Sequence, residues 1–263
     1  CLYLKAHYPA EWWAAVMTDC ASYKLGIYMS AAKMEGVPFG TLDVNSLTHE
    51  YSVREGRVIS GLMTIKGIGV KASQEISSIS GPFRDIDDFV ERCGKRKKVC
   101  ERLIKLGAFD ALHSNRRGLW SYYQYKYTSD NRDLKKAIIN FFMWDDERIN
   151  AERDRQIKEY RAMYPKKKVI PKKILNWKPK VDPKREDIIN MFSDYSSADR
   201  LALEKELLGY YWSSPLDMFV TEGCTIESAK THHIIEGVIE SIEEKRAQKR
   251  DFKFYVLKIN DGL

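Results

Sequence analysis

The chain has 263 residues, of which 44 % are hydrophobic, 12 % aromatic and 31 % charged. That balance supports a packed core and excludes wholesale disorder; apolar runs such as Phe141-Phe142-Met143-Trp144 are far too short to span a bilayer. The net charge is +7, but residues 166–185 hold nine Lys or Arg against one acid, Asp182, so this strap carries +8 and leaves −1 for the rest. The five cysteines (Cys1, Cys20, Cys93, Cys100, Cys224) are scattered and odd in number, which argues against a disulfide framework, and no CxxC pair points to zinc. No basic-then-apolar signal segment follows Cys1. The default expectation is a soluble, cytoplasmic protein without a membrane partner.

Residues 1–35 read as helical. Trp12, Trp13, Val16 and Met17 form an apolar face, and Pro9 suits the first turn of a helix ending near Asp19. A second helix is expected from Ser22 to Met34, stopped by Gly36. Val37 to Ser46 reads as extended loop. Tyr51-Ser52-Val53 and Val58 to Leu62 flank Glu55-Gly56, a short hairpin with a glycine turn. Short helices joined by tight turns fill Thr64 to Leu112, and longer helices fill 116–164. The strap follows, kept extended by Pro171, Pro179 and Pro183. It can lie along phosphates or serve as a solvated linker, and Ile174, Leu175 and Trp177 within it need something to pack on. A helix from Ser197 to Leu208 has Ser196 to Asp199 as its capping neighbourhood. Ile234 to Ile242 and Phe252 to Ile259 read as two strands around a polar turn, Glu243 to Asp251. A two-stranded ribbon is marginal alone, and both ends read as cut from a longer polypeptide.

The sharpest motif is Ile65-Lys66-Gly67-Ile68-Gly69-Val70-Lys71-Ala72, with Ile76 beyond it. Two glycines permit a tight turn whose backbone N–H groups face outward at a helix start, where phosphate oxygens approach closely. Lys66 and Lys71 flank that turn, and Ala72 allows close helix packing. The motif resembles a helix-hairpin-helix, which contacts DNA backbone without reading sequence; an ordinary helix corner is the structural alternative. Val99 to Asp110, around Gly107, is a partial echo without the second glycine and reads as structural. The two motifs are expected to form one compact unit with Phe83, Ile86, Phe89 and Val90 as its core.

The order of segments resembles the C-terminal half of the α subunit of bacterial DNA polymerase III, the C-family replicative polymerase, in its DnaE-like layout. Tyr3 to Glu11 looks like that family's fingers segment, and Asp43-Val44-Asn45-Ser46 matches its loop before a hairpin. Gly61-Leu62 with Ile65 to Gly69 matches the helix-hairpin-helix entry. Gly81-Pro82-Phe83, Asp88-Phe89 and Leu103 to Asp110 continue in the family's order. Leu203 to Tyr211 resembles the helix before the OB domain, and the closing strands fit the start of an OB barrel. The matches cover most of 1–112 and 200–263. Residues 113–196 match poorly, and Trp212-Ser213-Ser214-Pro215-Leu216 replaces the family's Ser/Thr-Gly-His-Pro-Leu turn. Such divergence suits a phage-encoded relative.

The resemblance implies a mainly α fold with a small β part. It divides the chain into the end of a fingers domain (1–62), a helix-hairpin-helix unit (63–112) and a divergent helical segment (113–165). A basic linker (166–196) and a pre-OB helix with a truncated OB domain (197–263) follow. It implies part of a DNA-directed DNA polymerase that binds primer–template and single-stranded DNA. The catalytic carboxylates and their Mg²⁺ ions then belong to a palm outside this chain, which is expected to be inactive alone. Asp145-Asp146-Glu147 and Asp85, Asp87 and Asp88 read as caps and solvated faces, and His232-His233 lacks a third ligand. The DNA-binding candidates are Lys5 (with His7 beside it), Lys66, Gly67, Gly69 and Lys71, and the basic tip of the OB ribbon, Lys245, Arg246, Lys249 and Arg250. Met191 and Phe192 are the candidates for a sliding-clamp contact, with Ile188 where that peptide carries Gln; other replisome subunits are further expected partners. The alternative readings are a stand-alone, non-catalytic DNA-binding protein with helix-hairpin-helix and OB units, and a protein-bridging scaffold.

Overall fold

The computed structural model describes residues 2–167, 169–213, 238–246 and 253–260. It divides into two compact units, Cys1–Arg117 together with Asp194–Leu263, and Gly118–Ser193. Among the described residues no helix is long and apolar enough to cross a membrane.

The first unit opens with α1 (Leu2–His7) and α2 (Pro9–Asp19), the latter with proline in its first turn. The buried face of α2 is Ala10, Trp13, Ala14 and Met17, one helical step round from the expected Trp12 and Val16. A 3-10 turn, Ser22–Lys24, precedes α3 (Leu25–Met34), so the predicted second helix starts tighter than expected. Strands β1 (Ser52–Arg54) and β2 (Arg57–Ile59) pair antiparallel, with Val53 opposite Val58. Glu55 and Gly56 both adopt positive φ between them, as a two-residue hairpin turn requires. Part of the expected loop joins this hairpin: the Gly40 N–H donates to the Val58 carbonyl and the Val58 N–H to the Pro38 carbonyl, both at 2.9 Å.

The segment with the two glycine turns contributes α4 (Val70–Ser77), α5 (Ile86–Cys93) and α6 (Lys97–Lys105). Asp85 caps α5 by accepting the Asp88 N–H at 2.8 Å. Phe83, Ile86, Phe89 and Val90 are buried, and the Phe89 ring packs edge-on against Phe83 and Phe109 at 4.9 and 5.4 Å.

The second unit contains α7 (Arg116–Tyr127) from Gly118 onward, then α8 (Arg132–Phe141) and α9 (Asp146–Met163), the last capped by Asp145. Trp120, Tyr122 and Tyr123 are buried, and Trp120 stacks on Tyr123 at 5.4 Å, so these rings are core. The strap is not uniformly extended. Residues Lys172–Leu175 form a helical turn, α10, against α9. Trp177 packs on Trp144 at 6.0 Å, and Arg153 Nε donates to its carbonyl at 2.7 Å. A final helix, α11 (Arg185–Met191), buries Ile188 and Ile189.

The chain returns to the first unit with α12 (Ser197–Leu207). Ser196 and Asp199 form a reciprocal capping box at its start. Beyond it, β3 (Val238–Arg246) and β4 (Lys253–Asn260) pair antiparallel with an irregularity between Ile239 and Ser241. The ribbon runs further toward its tip than expected, because Lys245 and Arg246 pair with Phe254 and Lys253 instead of turning. The β part of the described residues is thus two separate two-stranded ribbons.

Candidate nucleic-acid interface

The first glycine turn is built between the 3-10 segment Leu62–Thr64 and α4. The Ile68 N–H donates back to the Ile65 carbonyl at 3.0 Å, which closes the turn. Gly67 sits inside it at φ +80°, a conformation that side chains rarely adopt. Ile65 and Ile68 are buried and anchor the turn from below, whereas Gly67, Gly69, Val70 and Lys71 face outward. Gly69 is the N-cap of α4 and has no side chain to cap it, so no side-chain cap bonds to the first N–H groups of that helix. A Cβ added at Gly69 would meet nothing within 4 Å. The turn also rests on α12: the Lys66 N–H donates to the Leu207 carbonyl, and Lys66 Nζ to the Glu206 carbonyl, each at 2.9 Å.

The predicted lysines therefore fall into different environments. Lys71 is exposed beside the turn, and no hydrogen bond or ion pair is formed by it among the described residues. Lys66 spends its ammonium on the negative end of α12, a position favourable for a cation. Lys5 is paired with Glu35 at 2.5 Å and sits over the Trp12 and Trp13 rings. That contact and the Trp13 indole N–H hold the Glu35 carboxyl below its usual range. Lys245 and Arg246 lie on the β3 backbone, far along the sequence from the turn, while Lys249 and Arg250 lie outside the described residues, as do His232 and His233.

The second turn repeats part of this geometry. Gly107 takes φ +83° after α6, and the Ala108 N–H returns to the Leu103 carbonyl at 2.9 Å. Each turn glycine has an arginine guanidinium laid over it, Arg102 on Gly67 and Arg116 on Gly107. Neither arginine was singled out from the sequence, since each reaches its glycine only through the fold.

A cleft of about 1170 Å³ opens beside the first turn, with Tyr23, Ile27, Met63, Tyr51 and Tyr210 among its walls. At its base the Tyr51 and Tyr210 hydroxyls are 2.7 Å apart, and burial pushes both phenols above the ordinary tyrosine range. Met191 and Phe192 stand at the end of α11, partly exposed, immediately after the buried pair Ile188 and Ile189. Among the described residues no three His, Cys, Asp or Glu side chains converge to hold a metal ion.

Residues 36–119 match the helix-hairpin-helix motif family, so both glycine turns lie within one matched unit. Over a longer stretch the chain resembles DNA polymerase III subunit alpha from several bacteria. It is 28 % identical to that protein of Chlamydia pneumoniae over 287 residues, covering 99 % of this chain and 20 % of the relative. The Treponema pallidum protein is 28 % identical over 91 % of this chain and 20 % of its own length. The Caulobacter vibrioides protein is 36 % identical over 43 % of this chain and 11 % of its own length. The chain thus spans a fifth or less of these relatives.

Proposed function

We propose that this chain is the part of a replicative DNA polymerase, of the DNA polymerase III α kind, that grips primer–template DNA while a palm elsewhere transfers nucleotides. The observation that carries this reading is the outward face of the first glycine turn. Gly69 leaves open space over the start of α4, and no side chain caps the first N–H groups there. Lys71 stands beside them. Such a surface lets a phosphodiester approach the backbone itself, which gives grip without sequence preference. Similarity to polymerase α subunits along nearly the whole chain supports the replicative setting. In this reading β3 and β4 are the first strands of an OB-type barrel, and Lys245 and Arg246 lie where single-stranded template passes. In this reading the two Mg²⁺ ions of nucleotidyl transfer belong to the palm and not to these residues.

Gly69→Ala separates fold from grip. Its methyl enters open space, so the loss of stability should stay below about 1 kcal/mol, the scale of an N-cap change. The same methyl stands where a phosphate oxygen approaches, so affinity for a fluorescent primer–template duplex should fall several-fold. Anisotropy titrations at a series of salt concentrations read this directly. Wild-type affinity in the folded variant would remove the turn from the DNA interface.

A further inference from the structure

Arg102 lies so close over Gly67 that a Cβ there would meet its Nη2 at 2.6 Å and its Cζ at 2.7 Å. Its Nε is buried and finds no hydrogen-bond partner, and Nη1 reaches only the Lys98 carbonyl, at 3.5 Å. Among the described residues no acid pairs with it. The second turn shows what a completed version looks like. There Arg116 covers Gly107, where a Cβ would run into its guanidinium. Asp110, three residues after that glycine, accepts from Arg116 Nε at 3.0 Å and from Nη2 at 2.6 Å. Arg116 Nη1 goes to the Lys105 carbonyl at 3.2 Å. The same seat, an arginine laid on a glycine at positive φ, thus occurs twice. In one copy a carboxylate neutralises it. In the other, Val70 stands three residues after the glycine, 51 % exposed and without charge.

A half-buried guanidinium with unused donors is unfavourable until an anion takes them. Its planar fork matches two oxygens of a phosphate. We propose that Arg102 is a phosphate-binding residue of the first hairpin, and that a DNA phosphodiester takes its Nη donors and neutralises it as the Asp110 carboxylate neutralises Arg116 at the second. This rests on the reading of the first turn as a DNA grip. It adds a side-chain ligand, supplied by α6, to a contact otherwise made by backbone.

Salt titration of duplex DNA binding by the full chain tests it, with Arg102→Ala, Arg102→Gln, Arg102→Lys and Val70→Asp compared by anisotropy and thermal melting. Removing one phosphate contact should lower the slope of log affinity against log salt by about 0.9. Arg102→Ala and Arg102→Gln should show that change with a roughly tenfold loss of affinity, the scale of one charged hydrogen-bonded contact. Arg102→Lys should restore the slope but only part of the affinity. Val70→Asp installs the neutraliser at an exposed first helical position, where an acid is favoured. It should reproduce the slope change with melting undiminished, and add little on top of Arg102→Ala. An unchanged slope in Arg102→Gln, with DNA binding still weakened by Gly69→Ala, would overturn the role of Arg102 and leave the grip standing. Unchanged binding in both would overturn both. Inorganic phosphate that raises the melting temperature of wild type but not of Arg102→Gln, with the salt slope for DNA equal in both, would assign the seat to a small anion instead of DNA.

Discussion

Asp88 accepts the Arg84 backbone N–H at 3.0 Å and faces the Arg84 and Arg92 side chains at 3.4 and 3.3 Å. The Arg84 backbone bond, followed by its guanidinium and then Arg92, holds the Asp88 carboxyl below the usual carboxylate range. A carboxyl lowered in the folded state contributes stability that is present above its unfolded value, about 3.9, and lost as pH falls through the folded value. Asp88→Asn should therefore lower the urea midpoint at neutral pH, and the gap from wild type should close as the pH drops below the carboxylate range. Urea titrations at pH 7 and in acid measure this; a gap independent of pH would mean that the ionised form contributes nothing. Residues of this kind were legible in part. Asp85 and Asp145 read as helix caps from their positions, and both cap helices. The protein partners of Lys5 and Lys66 were not legible, because charge beside a motif does not reveal which protein group lies across from it. Glu35 and the end of α12 supply those partners from far along the chain.

At the scale of elements, α12 shows how local signals suffice. Ser196 accepts the Asp199 N–H at 3.2 Å while the Asp199 carboxylate accepts the Ser196 N–H at 3.1 Å. Both partners lie within one turn, so four consecutive residues specify the start of the helix. Ser196→Ala should cost about 1 kcal/mol of unfolding free energy, read by chemical denaturation. No change would mean that tertiary packing alone fixes this end. Position α2 was equally legible, although its buried face is rotated from Trp12 toward Ala10 and Ala14, a choice made by the β1–β2 hairpin against which it packs. The strap was not legible as an element. Its prolines and charges favour extension, and only the presence of Trp144 and Arg153 on or beside α9 explains why α10 and Trp177 settle there. The segments flanking β3 and β4 lie outside the described residues, so the expected barrel has no further strand to compare.

For the whole molecule, the first unit is discontinuous in sequence, interrupted by residues Gly118–Ser193. Its two broken ends meet: the Arg117 N–H donates to Asp194 Oδ1 at 3.2 Å, and Arg200 pairs with the same carboxylate. The segment that matched the polymerase pattern poorly largely coincides with this interruption, which explains why similarity on either side stays in order. Because the ends are adjacent, replacing 118–193 by a bridge of about four Gly and Ser residues changes loop entropy little. The shortened chain should melt cooperatively and retain duplex affinity. A chain that no longer melts cooperatively would show that the interruption is needed for the first unit to fold.

The bond from the Lys66 N–H to the Leu207 carbonyl carries a consequence for biosynthesis. A ribosome finishes the glycine turn long before it makes the helix end that buttresses it. At roughly 5–20 residues per second the interval is on the order of ten seconds. Throughout that time the nascent hairpin lacks its support. The turn proposed to hold nucleic acid is thus buttressed only late in translation, once the far end of the first unit has been made.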